Sequence, residues 1–162
     1  MLLRDVGPAD LDAYIQMRCD PVMMTELGGP QSRERIPGQL QRDLEAVSEG
    51  RAWIKMIVPN ASVHVAGTVT LYIHDGISEI GWMVLPEFQG RGLAGEAVRV
   101  VLGLARTDGR WGLIHAFPSR TNAASNAICR SAGFSLFGEA ETAFAERMFQ
   151  TNHWVFDSSA HA

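Results

Sequence analysis

The stretch EIGWMVLPEFQGRGLAGEA, residues 79–97, decides the fold. An apolar run ends at Pro86, and Gly90, Gly92 and Gly95 punctuate a turn. Beyond it Leu93, Ala97, Val100, Val101, Leu104 and Ala105 recur at helical offsets. The order is therefore strand, glycine loop and a helix over residues 92–107. The first N–H groups of a helix have no carbonyl partner within it, and the macrodipole adds about half a positive charge there. Gln89, Gly90, Arg91, Gly92, Leu93 and Ala94 thus form a loop suited to an anion such as phosphate. Glycines let backbone approach such a group without a Cβ in the way. Arg91 can add a charge-assisted contact or simply remain solvated.

The run from Gly90 to Gly95 also spells the dinucleotide fingerprint letter by letter. That site needs glycines immediately after a parallel strand and an acid about 20 residues later to hold ribose. Here Pro86, Glu87, Phe88 and Gln89 intervene and the later segment reads Ile114-His115-Ala116, which weighs against a nicotinamide-binding domain. No Gly-Lys-Ser/Thr follows, so a nucleotide-triphosphate loop is excluded as well.

Upstream, residues 1–4 read as an edge strand and Pro8 opens a helix to about Cys19. Residues 20–37 hold three prolines and Gly28-Gly29-Pro30, a connector, and a second helix begins near Gly38 with Leu40, Leu44 and Val47 on one face. Strands are expected over 52–58, 63–73 and 78–84, with His74-Asp75-Gly76 as a tight turn, giving an antiparallel meander. Downstream come a strand at 113–117, a helix capped by Thr121 or Asn122 and ended by Gly133, and strands at 134–137 and 148–156. No repeat or linker divides the chain, so one domain is expected over residues 1–157 with a short tail at 158–162.

The chain has 162 residues, 46% hydrophobic and 20% charged, with a formal net charge of -4. That balance argues against nucleic-acid binding, which calls for clustered Lys and Arg. No stretch approaches the roughly 18 apolar residues of a membrane span, and the start meets a proline and acids before an apolar run develops. A soluble cytoplasmic protein is expected. Cys19 and Cys129 are too few for a disulfide framework or a zinc site, so no metal is expected.

Gln89, Gly92 and Ala94 fit the Gln/Arg-x-x-Gly-x-Gly/Ala pyrophosphate loop of the GNAT superfamily of acyl-CoA N-acyltransferases. Asn122-Ala123-Ala124-Ser125 followed by Ala132-Gly133-Phe134 resembles the family's Asn-x-x-Ser…Gly-Phe helix. Ile80-Gly81-Trp82 and Asn152-His153-Trp154 are most similar to the group of ribosomal-protein alanine acetyltransferases. The resemblance implies an α/β (α+β) domain whose largely antiparallel sheet carries two neighbouring parallel strands splayed at the coenzyme site, with helices on both faces. It implies acetyl-CoA as cosubstrate and an amine acceptor, either a small molecule or a protein N-terminus, and it is compatible with a homodimer. Met83 and Val84 would pair with the pantetheine arm through backbone groups, as an added strand would, and Asn122 would approach it or merely cap its helix.

The reaction so implied is direct attack of a neutral amine on the thioester, with no covalent enzyme intermediate. A backbone N–H near Val84 would support the oxyanion. Glu79 is the candidate base, acting through water, or else an exposed acid on a strand. Relatives place a tyrosine seven residues after the asparagine to protonate the leaving thiolate. Cys129 stands there, either as the acid or as a small core residue. His115 and His153 are alternative relays, or structural. Met23, Met24, Glu26 and Leu27 lie in the connector through which the acceptor would enter. The departure at Cys129 keeps a second reading open, a non-catalytic CoA-binding sensor.

Overall fold

Asp75 and Gly76 both adopt positive φ, 50° and 75°, the left-handed pair that a two-residue hairpin turn demands. They join two strands of an antiparallel meander in the computed structural model, which describes residues 1–60, 62–144 and 147–160. The meander runs β1 (Leu2–Asp5), β2 (Ala52–Val58), β3 (Gly67–His74) and β4 (Ile77–Val84). β5 (Leu113–Ala116), β6 (Ser135–Phe144) and β7 (Arg147–Asp157) extend it. Among the described residues the result is a seven-stranded sheet of order β1-β2-β3-β4-β5-β7-β6. The helices are α1 (Leu11–Cys19), α2 (Ile36–Ser48), α3 (Leu93–Asp108) and α4 (Ala123–Ser131).

The expected mixed sheet is present, and its one parallel neighbour pair is β4 with β5. Boundaries moved where local rules compete. α2 starts at Ile36, ahead of Gly38, because Pro37 falls in its first turn, where proline loses no hydrogen bond. β3 starts at Gly67, not residue 63. Just before it, Ala66 bridges two neighbours, its N–H bonding Ile57 O and its carbonyl accepting from Leu85 N. β6 runs well past residue 137 because β7 pairs with it as far as Phe144↔Arg147. Ser158, beyond the expected domain end, is buried and bonds Gly112 O through both N and Oγ, while residues 161–162 lie outside the described residues.

The α3 stripe also differs from the reading. The buried face is Ala97, Val98, Val101, Leu102 and Ala105, whereas Val100 and Leu104 are 42% and 47% exposed. An apolar helix offers more than one stripe at 3.6-residue spacing, and the sheet selects the one it covers.

Helices lie on both faces. α3 and α4 pack with Val69, Leu71, Ile80, Ile114, Trp154 and Phe156 in one core. α1 and α2 pack with Ala52, Ile54 and Met56 in the other, through Tyr14, Met17, Ile36 and Leu40. Burying an aliphatic or aromatic side chain of this kind contributes about 1.5–3 kcal/mol each, so each helix is held chiefly by its apolar face. α4 is also pinned by a polar hub. Buried Asn126 donates through Nδ2 to Ser119 O and Asn122 O, and its Oδ1 accepts from Asn152 Nδ2 and Trp154 Nε1, all at 2.8–2.9 Å. Every hydrogen-bonding site of that amide is satisfied, as burial requires.

β4 leaves no room for a side chain at Gly67 of β3, since a Cβ there would lie 2.1 Å from Met83 O and 2.9 Å from Val84 Cα. Backbone cannot yield as a flexible side chain does. Gly67→Ala is expected to lower stability by about 1–3 kcal/mol by overpacking, measured by urea denaturation. An unchanged midpoint would show that the two strands separate freely at this end.

Candidate active site

β4 and β5 pair only at Ser78↔Ile114 and Glu79↔His115, while the other edge of β4 stays paired with β3 through Val84↔Gly67. The remaining residues of β4 therefore border a wedge on the β5 side. Backbone direction follows from alternation along the strand. Met83 O faces Gly67, and Leu85 N donates to Ala66 O, both toward β3. Val84, the residue between them, turns its backbone groups the other way, into the wedge.

The loop at the wedge mouth is shaped by Gly90 and Gly92, with φ of 79° and 73°. Both face open space where a Cβ would stand. Gly92 is the residue before α3, and Glu96 N bonds Gly92 O as the first helical bond. The N–H groups of this first turn have no carbonyl ahead of them in the helix, so they are oriented donors. Gln89 Nε2 folds back to Val84 O at 2.9 Å, bracing the loop against the strand. Arg91 is exposed, its guanidinium carbon 5.4 Å from the Phe88 ring centroid. Leu93 and Ala94 are half-buried in the first turn.

The second motif segment meets the first across the wedge. Trp82 Nε1 donates to Ser125 Oγ at 3.2 Å. Asn122 caps α4, its Oδ1 accepting from Ser125 N at 3.0 Å. Cys129 is 0% exposed within the apolar core, and burial pushes its thiol up to about 12. At neutral pH it is a neutral thiol.

Glu79 lies on the face that carries α1 and α2. Residues in register share a face, so Tyr72, Glu79 and His115 stand side by side there. The Glu79 side chain is 19% exposed. Its Oε2 accepts from Tyr72 Oη at 2.5 Å, and its Oε1 lies 3.2 Å from His74 Nε2. Burial, and then the neighbouring carboxylate, hold the Tyr72 phenol far above its usual range, so it stays a donor. A parallel contact lies deeper, where Tyr14 Oη donates to Asp43 Oδ2 at 2.5 Å and Arg18 stacks on the Tyr14 ring. Burial lowers the Arg18 pKa.

His115 Nδ1 and His153 Nε2 are 2.7 Å apart, walled by Phe117 and Phe137. Phe137 reaches this place through a β-bulge between Leu136 and Gly138. In the connector, Met24 is fully buried, Met23 packs against the α1–α2 core, and Glu26 accepts from Thr121 Oγ1 at 2.7 Å. Tyr72, Asn126 and the imidazole pairing went unread in the sequence. Tyr72 could have been inferred from the hairpin register, seven residues before Glu79. Among the described residues no group of three or more His, Cys, Asp or Glu gathers as metal ligands, and no helix is long and apolar enough to cross a membrane.

A family model described as acetyltransferase (GNAT) domain matches residues 1–135. No curated protein sequence matches the chain. Solved structures share its architecture at low identity. RimL, a ribosomal L7/L12 α-N-protein acetyltransferase solved with coenzyme A, has a TM-score of 0.81 at 20% identity, over 96% of this chain and 92% of that one. The ribosomal-protein-S5-alanine acetyltransferase of Vibrio fischeri gives 0.79 at 16%, over 97% and 92%. YncA of Salmonella typhimurium, solved with acetyl-CoA, gives 0.77 at 20%, over 100% and 96%. The wedge between β4 and β5, the glycine loop opening α3 and the matched family model agree, and the chain belongs to the GNAT acetyltransferase family.

Proposed function

We propose that the protein is an acetyl-CoA-dependent N-acetyltransferase whose acceptor is the primary amine of a small molecule or of a protein N-terminus. The observation that carries this reading is the interrupted β4–β5 pairing beside the glycine loop. The pyrophosphate would rest on the first-turn N–H groups of α3 and on Gly90, Arg91 and Gly92. The pantetheine arm would fill the wedge as an extra strand, bonding backbone groups of Val84 and, by the same alternation, Trp82; Met83, expected from the resemblance to pair with it, turns its carbonyl to Gly67 instead and would only border the arm from the acceptor face. The thioester would then emerge toward Glu79, and a Val84 N–H would support the oxyanion. RimL and the Vibrio protein act on ribosomal proteins, as their names state, and that favours a protein N-terminus among the acceptors tested first.

Attack forms the N–C bond, the C–S pair leaves on sulfur, and a nitrogen proton passes to Glu79, held in place by Tyr72 and His74. The second reading, a CoA-binding sensor without turnover, draws on Cys129, whose buried thiol is a weak acid at the position where relatives carry a phenol. Release of free thiol from acetyl-CoA, assayed with an amine and N-terminal peptide panel, separates the two. CoA binding with no thiol release from any acceptor leaves the sensor.

Gly92→Val forces a branched residue into positive φ and puts its Cβ where phosphate would sit. CoA affinity measured by calorimetry should fall at least tenfold, and unchanged affinity in a folded variant would remove the loop from the coenzyme site. Glu79→Gln should reduce kcat by about 10²-fold, within the range of acid–base catalysis, and leave CoA affinity near wild type. Wild-type kcat in that variant would clear Glu79 of proton transfer. Cys129→Ala should keep kcat within about threefold and lower stability by about 1–2 kcal/mol through the cavity left in the core. A loss beyond 10²-fold in a folded, CoA-binding variant would instead make the thiol the acid.

A further inference from the structure

A protonated amine must shed two protons to become an amide nitrogen, and only one is recovered by the departing thiolate. Each turnover at neutral pH therefore exports one proton, from RNH3⁺ and thioester to amide, thiol and H⁺. Glu79 can take one proton and return it to the thiolate. A second group is needed to carry the other away.

We propose that the His115–His153 pair is that second group, a relay that takes a proton from the entering ammonium at His115 and releases it to solvent from His153. The inference rests on the acyltransferase reading above. Its geometric basis is independent of any ligand. Glu79 and His115 are the last residues paired before β4 and β5 part, and they share the acceptor face, so carboxylate and imidazole stand on opposite lips of the wedge. The two rings lie within 22° of one plane with centroids 5.0 Å apart and nitrogens 2.7 Å apart. That arrangement runs the hydrogen bond nearly in both ring planes, along the lone pair, as proton transfer requires. One bonded nitrogen donates and the other accepts, so the two outer nitrogens are one N–H and one lone pair. A proton accepted at the outer nitrogen of His115 moves across the bond and leaves from the far side of His153. Phe117 and Phe137 pack on His153, with centroids 4.6 and 5.0 Å away, and fix its ring.

Among the described residues, the titratable and charged groups on the neighbouring elements include Glu79 on β4 with its partners Tyr72 and His74, the Arg120–Glu139 ion pair at 2.9 Å between the loop before α4 and β6, and Glu26 of the connector, bonded to Thr121. Burial first and the neighbouring imidazole second lower the His153 pKa, so His153 favours releasing a proton passed to it over retaining it.

The test compares His153→Gln, His115→Asn and the double variant with wild type, using acetyl-CoA with one lysine-type amine and one α-amine. Each single variant should lose about 10–100-fold in kcat/KM at pH 7 on the lysine-type amine, with CoA affinity and thermal midpoint near wild type. The double variant should be no worse than the singles, because the rings act as one unit. The deficit should shrink as pH rises, and should be smaller for the α-amine, whose reference pKa is about 8 against about 10.4 for lysine, because an amine already neutral needs no relay. A structural role would leave the deficit constant with pH and acceptor, and that result, or full activity in the variants, overturns the relay alone. If wild type binds CoA but releases no thiol with any amine, the acyltransferase reading falls and the relay with it.

Discussion

Everything at the site depends on β4 and β5 being parallel neighbours that pair for only two residues. A sheet that continued its ladder here would satisfy its own backbone and leave nothing for a ligand. Because β3 keeps hold of β4 as far as Val84, the strand stays extended after β5 has departed. Its free edge then offers donors and acceptors at strand spacing, the form in which an amide-bearing arm is best received. Gly67 makes this possible on the far side, since any Cβ there would push β4 off β3.

The separation of the strands is held open by contacts that are not part of the sheet. Trp82 reaches across to Ser125, Asn122 fixes the start of α4, and Asn126 ties that helix to β7 through Asn152 and Trp154. Buried polar groups of this kind are costly unless fully satisfied, and the four bonds of Asn126 define one position for α4. On the other strand, Gln89 braces the glycine loop against Val84. The wedge is thus built into the fold from both sides.

Charge is arranged by face. The loop and the start of α3 present N–H donors, suited to an anion, while the opposite face presents Glu79 with its phenol and imidazole partners, suited to a cation. On the N-acetyltransferase reading proposed above, an anionic coenzyme and a cationic amine would meet at the wedge from different directions. Burial of Cys129 puts its thiol outside this arrangement, in the core beneath α4.

The strand, loop and helix of residues 79–97 could be read from the sequence because each is set locally, by an apolar run, a proline, positive-φ glycines and a helical period. The hairpin at Asp75-Gly76, the cap at Asn122 and the glycine after α4 were readable for the same reason. The stripe of α3 that is buried could not be, because Val100 and Leu104 satisfy the period as well as Val98 and Leu102 do, and only the sheet chooses between them. Nor could the partners of the site. Tyr72 with Glu79 follows from hairpin register, but Asn126 with Trp154 and His115 with His153 join residues 28 and 38 positions apart. Their one-letter codes carry no signal of each other; strand order in the sheet brings them together. Local sequence determined which segments could hold a phosphate or cap a helix, and tertiary packing decided which side chains face one another, because proximity across a sheet depends on topology and not on distance along the chain.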